Sequence, residues 1–496
     1  MTDGFPIVLT ADRVLMANYD ILFDGMLSAS LTTITPPQIF ADLLMPWGDK
    51  KNAPLGLRRI QTALINDGFS ANDIALVDER DLHKVVGKNT KIIGVSGGEP
   101  CGLGMNSTTM SEIAGGKPWP QAMFNNLMKK VNAARKNAPN AKVIFGGPGA
   151  WQFNINELLK FGIDHIILCY AEGNAATVFK QLIDGKLLPV KIDGVGVPAE
   201  MIPRITGPTT MGIVEISRGC GLGCQFCTLG KETMQHLPTE TIIADIQTNI
   251  AAGNPNAAIL SEDLLRYGGD GMKVNPTKLL EMLEQVRNID GLKLMQIDHI
   301  NVVSVTKYTD EELKKIYDII TRGQQHKYPW VNLGIETVNG ELLKKNGGAP
   351  KMGTIQAEDW GDVCAETIRR LSKAGFLCMA SLIIGLPGET PADIQATLEW
   401  VQKLSGEKVT VFPVLYAPPG DERAFTADDL TIPHLKLLST AYNLNFKWIP
   451  IMYTDNQTGG GTPAWKRNML RMMSIGQVIE WKIFFEIHKI SARRRQ

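Results

Sequence analysis

The chain has no excess of either charge: 51 lysines and arginines stand against 51 aspartates and glutamates among its 496 residues. That balance removes the electrostatic ground for nucleic acid as the main partner. No run of 18 apolar residues occurs, so no membrane span is expected. The opening MTDGFPIVLTADR breaks its apolar run at Asp12 and Arg13, unlike a signal peptide. Cysteine is sparse, with seven residues in all. A small secreted disulfide framework would be denser, so the expected location is a reducing cytoplasm. No G-x-G-x-x-G opens the first helix, which weakens a nicotinamide reading.

What remains is the composition of a globular protein, with 44% hydrophobic and 21% charged residues. The length predicts two to four domains. Strand–helix alternation dominates. FPIVL (5–9), DIALVD (73–78), KIIGVSG (91–97), KVIFGG (142–147) and HIILCYA (165–171) read as short buried strands. Between them, Leu57, Ile60 and Leu64, then Phe124, Leu127, Met128 and Val131, recur at helical spacing. This order predicts a parallel sheet covered by helices, a Rossmann-like domain within 1–194. Residues 10–53 fit the rhythm poorly and read as an irregular insertion. The proline-bearing 195–210 reads as a linker.

From 211 to 425 six further strand–helix units follow, with strands at 212–217, 257–261, 292–298, 330–336, 377–385 and 408–415. Thr309 with Glu312 predicts a capping box, and Thr390 ahead of Pro391 and Asp393 a helix cap. Six units are too few to close an eight-stranded barrel, so an open, partial (β/α)6 barrel of TIM type is expected. Residues 426–496 turn helical, divided by NQTGGGTP, and read as a small C-terminal domain. Its aromatic residues Trp448, Tyr453, Trp465 and Trp481 would serve to cap a cavity, although at helical spacing such residues are more often core. The closing SARRRQ reads as a solvated basic end.

One stretch departs from this plain pattern. SRGCGLGCQFCTLG (217–230) sets Cys220, Cys224 and Cys227 inside eight positions, just past the first strand of the second half. Gly219, Gly221 and Gly223 let the backbone wrap until the three thiolates face one point. Three thiolates serve an iron–sulfur cluster with one iron left open. They would also serve zinc, with His236 as a fourth ligand. A thioredoxin-like pair would leave Cys220 unexplained. Cys169, Cys364 and Cys378 read as core thiols, and Cys101, in a glycine-rich loop, is left undecided.

C-x₃-C-x-Φ-C, with Phe226 as Φ, resembles the signature of the radical S-adenosylmethionine (SAM) superfamily. LSEDLLRY (260–267) ends strand two, where that family binds the amino group of SAM. The resemblance makes Glu262 and Asp263 the candidates, although the segment departs from the usual Gly-Gly-Glu. LGIET (333–337) resembles a second SAM-contacting element, with Glu336 as candidate. IIGLPGET (383–390) resembles the segment running beside adenine, with Gly385 and Leu386. Singly, Glu336 reads equally as an ion-pair partner and GLPGET as a turn with a helix cap. Four matches in order on the right elements outweigh that.

The first half is similar to the cobalamin-binding domain fused in front of many such enzymes. The carriers are APLGLRRIQTAL (53–64), IALVD (74–78), IIGVSGGEP (92–100), VIFGGPGAWQFN (143–154) and HIILCYAEGNAA (165–176). The implied cobalamin contacts are Leu55, Gly56, Ser96, Gly97, Gly98, Glu99, Met105, Asn106, Gly146, Gly147, Glu172 and Gly173. Ala171 replaces the first glycine of the usual Gly-Glu-Gly. Asp-x-His-x-x-Gly, whose histidine ligates cobalt in many cobalamin proteins, is absent, as is usual in this fused class. The bland alternative is a degenerate sheet that only supports the barrel or docks a partner.

The resemblance implies a cobalamin-dependent radical SAM methyltransferase with a [4Fe–4S] cluster, SAM and cobalamin. A 5′-deoxyadenosyl radical would activate an unactivated carbon, which then takes a methyl group from methylcobalamin. An external donor of flavodoxin or ferredoxin type would supply electrons. The substrate would be a small molecule or a protein side chain. A non-methylating rearrangement, cyclisation or oxidation is the alternative within the family; a non-catalytic cobalamin or iron–sulfur sensor is the alternative outside it.

Overall fold

A computed structural model describes residues 3–19, 21, 31–32, 37–48, 52–227, 230, 232–420 and 422–495. Much of the stretch 10–53 therefore lies outside the described residues, as do two positions of the cysteine segment, 228 and 229. The chain divides into two compact units. The first comprises Met1–Ser107, Gly116–Val214 and Ala244–Asn254; the second comprises Thr108–Gly115, Glu215–Ile243 and Pro255–Gln496.

The first unit is built on six strands: β1 (Ile7–Ala11), β2 (Ile74–Leu76), β3 (Ile92–Ser96), β4 (Lys142–Gly146), β5 (His165–Leu168) and β6 (Lys191–Asp193). They lie in the order β2-β1-β3-β4-β5-β6, every pair parallel. The short edge strand β6 was not expected from the sequence; with one polar or charged residue on either side of Ile192, it carries no apolar run. Period-two alternation sorts the strand residues onto two cores. Val8, Ile93, Val95, Val143 and Phe145 join one apolar cluster, while Ile7, Leu9, Ile92 and Ile144 join the other. Both faces are thus covered, as parallel strands require. The first cluster holds Phe124 edge-on to Phe145 at 5.5 Å and to Phe161 at 5.1 Å. The strand order reverses at β1, which is the switch point where doubly wound sheets open a crevice at their carboxyl edge.

Residues 195–210 pack within this unit. Ala199, Ile202 and Ile205 are buried, and the Ile205 N–H donates to Asp245 at 3.0 Å. The fully buried Arg59 donates to that same carboxylate at 2.6 Å and to the Pro203 carbonyl at 2.5 Å.

The second unit carries an arc of strands in two hydrogen-bonded groups. One holds β10 (Asn256–Leu260) and β11 (Leu294–Ile297) with β7 (Ile213–Glu215), only the last residue of which falls in this unit, in the order β11-β10-β7. The other runs β12 (His299–Ile300), β13 (Trp330–Glu336), β14 (Leu377–Ile384) and β15 (Val409–Leu415), every pair parallel. Only Asp298 separates β11 from β12, and its carbonyl accepts from the Asn332 N–H at 2.8 Å. The six units expected from the sequence are therefore present, the third strand broken by one residue. Both expected helix starts occur, as capping boxes at Thr309 with Glu312 and Thr390 with Asp393.

The two C-terminal helices, Ile432–Gly459 and Ala464–Arg495, belong to this second unit. Asn445 exchanges two hydrogen bonds of 2.7 Å with the backbone of Val411. The side chain thus stands in for a seventh strand along the edge of β15, covering donors and acceptors that an edge leaves bare.

Candidate functional site

The cysteine segment is a loop closed at its base by a two-stranded antiparallel ribbon, β8 (Ser217–Arg218) with β9 (Gln235–His236). Inside the loop the Cys220 N–H donates to the Glu232 carbonyl at 2.9 Å, and the Gly223 N–H to the Gly230 carbonyl at 2.7 Å. Gly219, Gly221 and Gly223 all adopt positive φ, between 68° and 79°. At Gly219 a Cβ would lie 2.6 Å from the Thr233 carbonyl oxygen, so only glycine lets the two arms approach.

All three cysteines line one cavity of about 310 Å³. Glu262, His299, Asn301, Glu336 and Lys351 share its wall, with Leu222, Phe226, Ile300 and Met379 as its apolar part. Burial raises the thiol of Cys220 and pushes that of Cys224 up to about 11. Both are therefore protonated in the bare protein at neutral pH, and become thiolates when a cation replaces the proton. Among the described residues no three His, Cys, Asp or Glu side chains converge as one metal ion would need. A cube-shaped cluster asks for something else, since each thiolate takes a different iron around a shared volume. His236, the fourth ligand a zinc reading requires, is not on the cavity wall; it packs edge-on to Tyr267 at 5.4 Å.

Opposite the loop, β13 ends in a bulge between Gly334 and Glu336. Glu336 sits at φ 66°, a left-handed conformation costly for a residue with a side chain. Its carboxylate forms a buried ion pair with Lys351, which comes from the short helix Ala349–Met352. A Cβ on Gly334 would fall 2.5 Å from the Glu336 Oε1 and 2.6 Å from the Lys351 Nζ. Glycine there clears the space the pair occupies.

At the end of the third strand Asp298 orients His299. Its carboxylate lies 2.9 Å from His299 Nδ1 and accepts from Asn332 Nδ2 at 2.8 Å. Burial alone would lower the imidazole's pKa; the charge and hydrogen bond of Asp298, with Glu262 beyond, lift it to about 9. Burial raises the Glu262 carboxyl, and His299 opposes that.

The other residues expected to touch SAM stand differently. Asp263 is fully buried: its carboxylate accepts from Ser304 Oγ at 2.6 Å and from the N–H groups of Leu265 and Asn301. It braces the loop bearing Glu262 and is not on the cavity wall. Gly385, at φ 83°, donates its N–H to Glu389 at 2.8 Å, and Leu386 is buried. Neither lines the cavity. Sequence reasoning missed Lys351, His299, Asn301 and Asn332. Lys351 stands in no motif. His299 directly follows Asp298 at the carboxyl end of a strand, where parallel architectures collect chemistry, and that was a usable signal.

In the first unit the residues expected to touch cobalamin gather at the carboxyl edge of the sheet. Ser96 and Gly146 end β3 and β4; Gly97, Gly98, Glu99 and Gly147 follow them; Glu172 and Gly173 follow β5. Leu55 and Gly56 open the helix Leu55–Asn66, and Met105 and Asn106 open Met105–Ala114. Gly147 has φ 97°, and a Cβ there would meet Ser96 Oγ at 2.5 Å. Among the described residues, nothing lies within 4 Å of a Cβ placed on Gly56 or Gly98. Glu99 accepts from the Gly104 N–H at 3.0 Å, fixing the loop between them. Such an edge, tight beneath and bare above, fits a broad, flat ligand.

Residues 214–401 match the family model of the Radical SAM superfamily, and the chain carries a radical SAM domain. Among curated proteins it is similar to the ribosomal protein uS12 methylthiotransferase RimO of Leptospira biflexa. The two are 25% identical over 217 residues, 43% of this chain and 44% of that protein. The chain thus spans less than half the length of that relative. Among solved structures it resembles TsrM from Kitasatospora setae, a radical SAM methyltransferase, with tryptophan substrate and the SAM analogue aza-SAM bound. That match has a TM-score of 0.56 at 15% identity and covers 84% of this chain and 75% of that one. TsrM with cobalamin and a [4Fe–4S] cluster bound gives 0.55 at 15% identity, covering 84% and 77%. The fold is therefore shared across both units, and residues 214–401 carry the radical SAM domain.

Proposed function

We propose that this chain is a cobalamin-dependent radical SAM methyltransferase that adds a methyl group to an unactivated carbon of a small molecule or a protein side chain. One observation carries the reading. A three-cysteine cavity lies at the carboxyl ends of the arc's strands, in a chain that also folds a doubly wound sheet with a glycine-rich carboxyl edge. Cys220, Cys224 and Cys227 would hold a [4Fe–4S] cluster. Glu262, Glu336 and Phe226 would contact SAM directly, with Asp263, Gly385 and Leu386 shaping the segments around it. The twelve residues at the edge of the first sheet would contact cobalamin. When bound, the cluster supplies the electron that cleaves SAM, and cobalamin supplies the methyl carrier.

The protein's own residues have narrower tasks. The glycine-wrapped loop sets the spacing of the thiols. Lys351 offsets the charge of Glu336 and lowers the cost of ionising Cys224 beside it. Leu222, Phe226, Ile300 and Met379 form an apolar wall that limits water around reactive groups. Removal of a hydrogen atom needs no general base, so orientation and exclusion of water are what the cavity must provide.

Anaerobic reconstitution tests the reading. About four irons per chain are expected, with loss of both the cluster's visible absorption and SAM cleavage in Cys224→Ala. Zinc in place of iron, or SAM cleavage retained in that variant, refutes the ligand assignment. With methyl-labelled SAM, label in the product supports methyl transfer; product without label, alongside deoxyadenosine, supports a non-methylating reaction. Mass spectrometry of the anaerobically purified protein reads cobalamin directly.

A further inference from the structure

The helix Ala464–Arg495 has two apolar faces. The inner one packs within the second unit. Leu470, Trp481, Phe485 and Ala492 are buried, Trp481 stacks on Tyr442 at 4.9 Å, and His488 Nε2 lies 2.8 Å from the Ile113 carbonyl oxygen. The outer face carries Met472, Ile475, Ile479, Ile483, Ile487 and Ile490, the methionine 75% exposed and the isoleucines 52–56%. The steps between them are three, four, four, four and three residues. Eighteen residues make five full turns of a helix, so the row runs straight for about 27 Å. Trp465, two turns before Met472, extends it at 65% exposure. Single exposed apolar side chains are ordinary, but a continuous row of this length marks a surface that something covers.

Charge says what covers it. The chain is neutral as a whole, yet this one helix holds eight lysines and arginines against two glutamates. Of the cations, Arg471, Lys482, Arg493 and Arg494 are exposed. At 100° per residue, Arg471, Lys482, Lys489 and Arg493 fall along one flank of the row. Glu486 is already paired with Lys489 at 2.6 Å. Antiparallel pairing with a second copy would set this basic flank against itself. A surface of phosphates complements it instead.

We propose that the outer face of this helix docks on an anionic lipid bilayer, the isoleucine row sinking to the headgroup–acyl boundary and the flanking cations meeting lipid phosphates. The helix lies in the interface and does not cross it; among the described residues no helix is long and apolar enough to span a membrane.

Co-sedimentation of the full chain with vesicles tests this. Vesicles of phosphatidylcholine containing phosphatidylglycerol should pellet the protein, and phosphatidylcholine alone should bind at least roughly tenfold more weakly. Binding should fall at high salt, where phosphate contacts are screened. Ile479→Gln with Ile483→Gln, at exposed positions, should cut binding roughly tenfold or more while leaving Tm unchanged. Arg471→Glu with Lys482→Glu should weaken binding to the anionic vesicles alone. No pelleting with anionic vesicles overturns the proposal. So does a dimer in sedimentation velocity that the double glutamine variant dissolves, since a second copy would then be the occupant.

Discussion

Glu336 and Lys351 are bound to one another at the cavity wall, on a backbone that holds Glu336 at φ 66°. Both side chains are about nine-tenths buried, so each charge depends on the other. Lys351→Met should leave the carboxylate buried without a partner and cost about 3–5 kcal/mol. Adding Glu336→Gln should recover much of that loss, because the uncompensated charge goes with it. Urea unfolding of the two variants reads the difference; equal stabilities would mean that water reaches the pair. Gly334→Ala should resemble Lys351→Met, since its Cβ takes the space of both charged groups.

His299 makes a prediction about pH. Its pKa in the folded chain is about 9, above the ordinary 6.5, because Asp298 and Glu262 outweigh burial and the opposing charge of Lys351. A raised value means that the folded state holds the proton more tightly than the unfolded one. The resulting stabilisation is complete below about pH 6.5 and is lost as pH rises through about 9. His299→Gln should flatten the stability curve across that window and leave it unchanged in shape below. The free energy of unfolding measured at intervals from pH 6 to pH 10 separates the two curves; parallel curves would mean an imidazole that titrates alike in both states.

The regular parts of this molecule were legible because they follow periodicity. Ile7, Leu9 and Val8 alternate between two cores as strand patterning predicts, and Thr309 and Thr390 cap helices as their sequences announce. The cysteine loop was legible from its glycines. What escaped were partners set by tertiary approach. Asp263 and Glu262 are adjacent acids at one strand end, and nothing local says that one turns into Ser304 while the other faces the cavity. Lys351 pairs with Glu336 across fifteen residues, and no spacing rule anticipates that. The three thiols line one cavity, as the wrapping of the cysteine loop led one to expect.

Asp12 offers the opposite pH behaviour to an ordinary carboxylate. It lies just past β1, almost fully buried, accepting from the Leu15 N–H at 3.3 Å. Burial pushes its pKa up to about 7, with the charge of Glu79 adding to the effect. A carboxyl raised in this way favours the fold while protonated, so stability falls as pH rises from about 4 to about 7, by about 1.4 kcal/mol per unit at most. Asp12→Asn keeps an oxygen for the Leu15 N–H and removes the charge. It should be more stable than the parent at pH 8 and close to it at pH 4. A variant less stable at both would mean that the carboxylate has a cationic partner when ionised.

Two glycines of the cysteine loop separate backbone strain from steric exclusion. Gly219 and Gly223 share the left-handed conformation, at φ 79° and 68°. An alanine at either therefore meets the same intrinsic cost, about 1–2 kcal/mol. Their surroundings differ. Gly219 has the Thr233 and Glu232 carbonyl oxygens at 2.6 and 2.8 Å from the added Cβ, whereas Gly223 has none of the described residues within 4 Å. Gly219→Ala must push apart the two arms that the β8–β9 ribbon joins, moving Cys220 away from its bond to Glu232. It should therefore lose most of its iron after anaerobic reconstitution, while Gly223→Ala keeps most of it. Iron and sulfide analysis of the two variants, with circular dichroism to confirm that both remain folded, decides the matter. Equal retention would mean that the loop tolerates the displacement, and that thiol spacing is set elsewhere than at the neck.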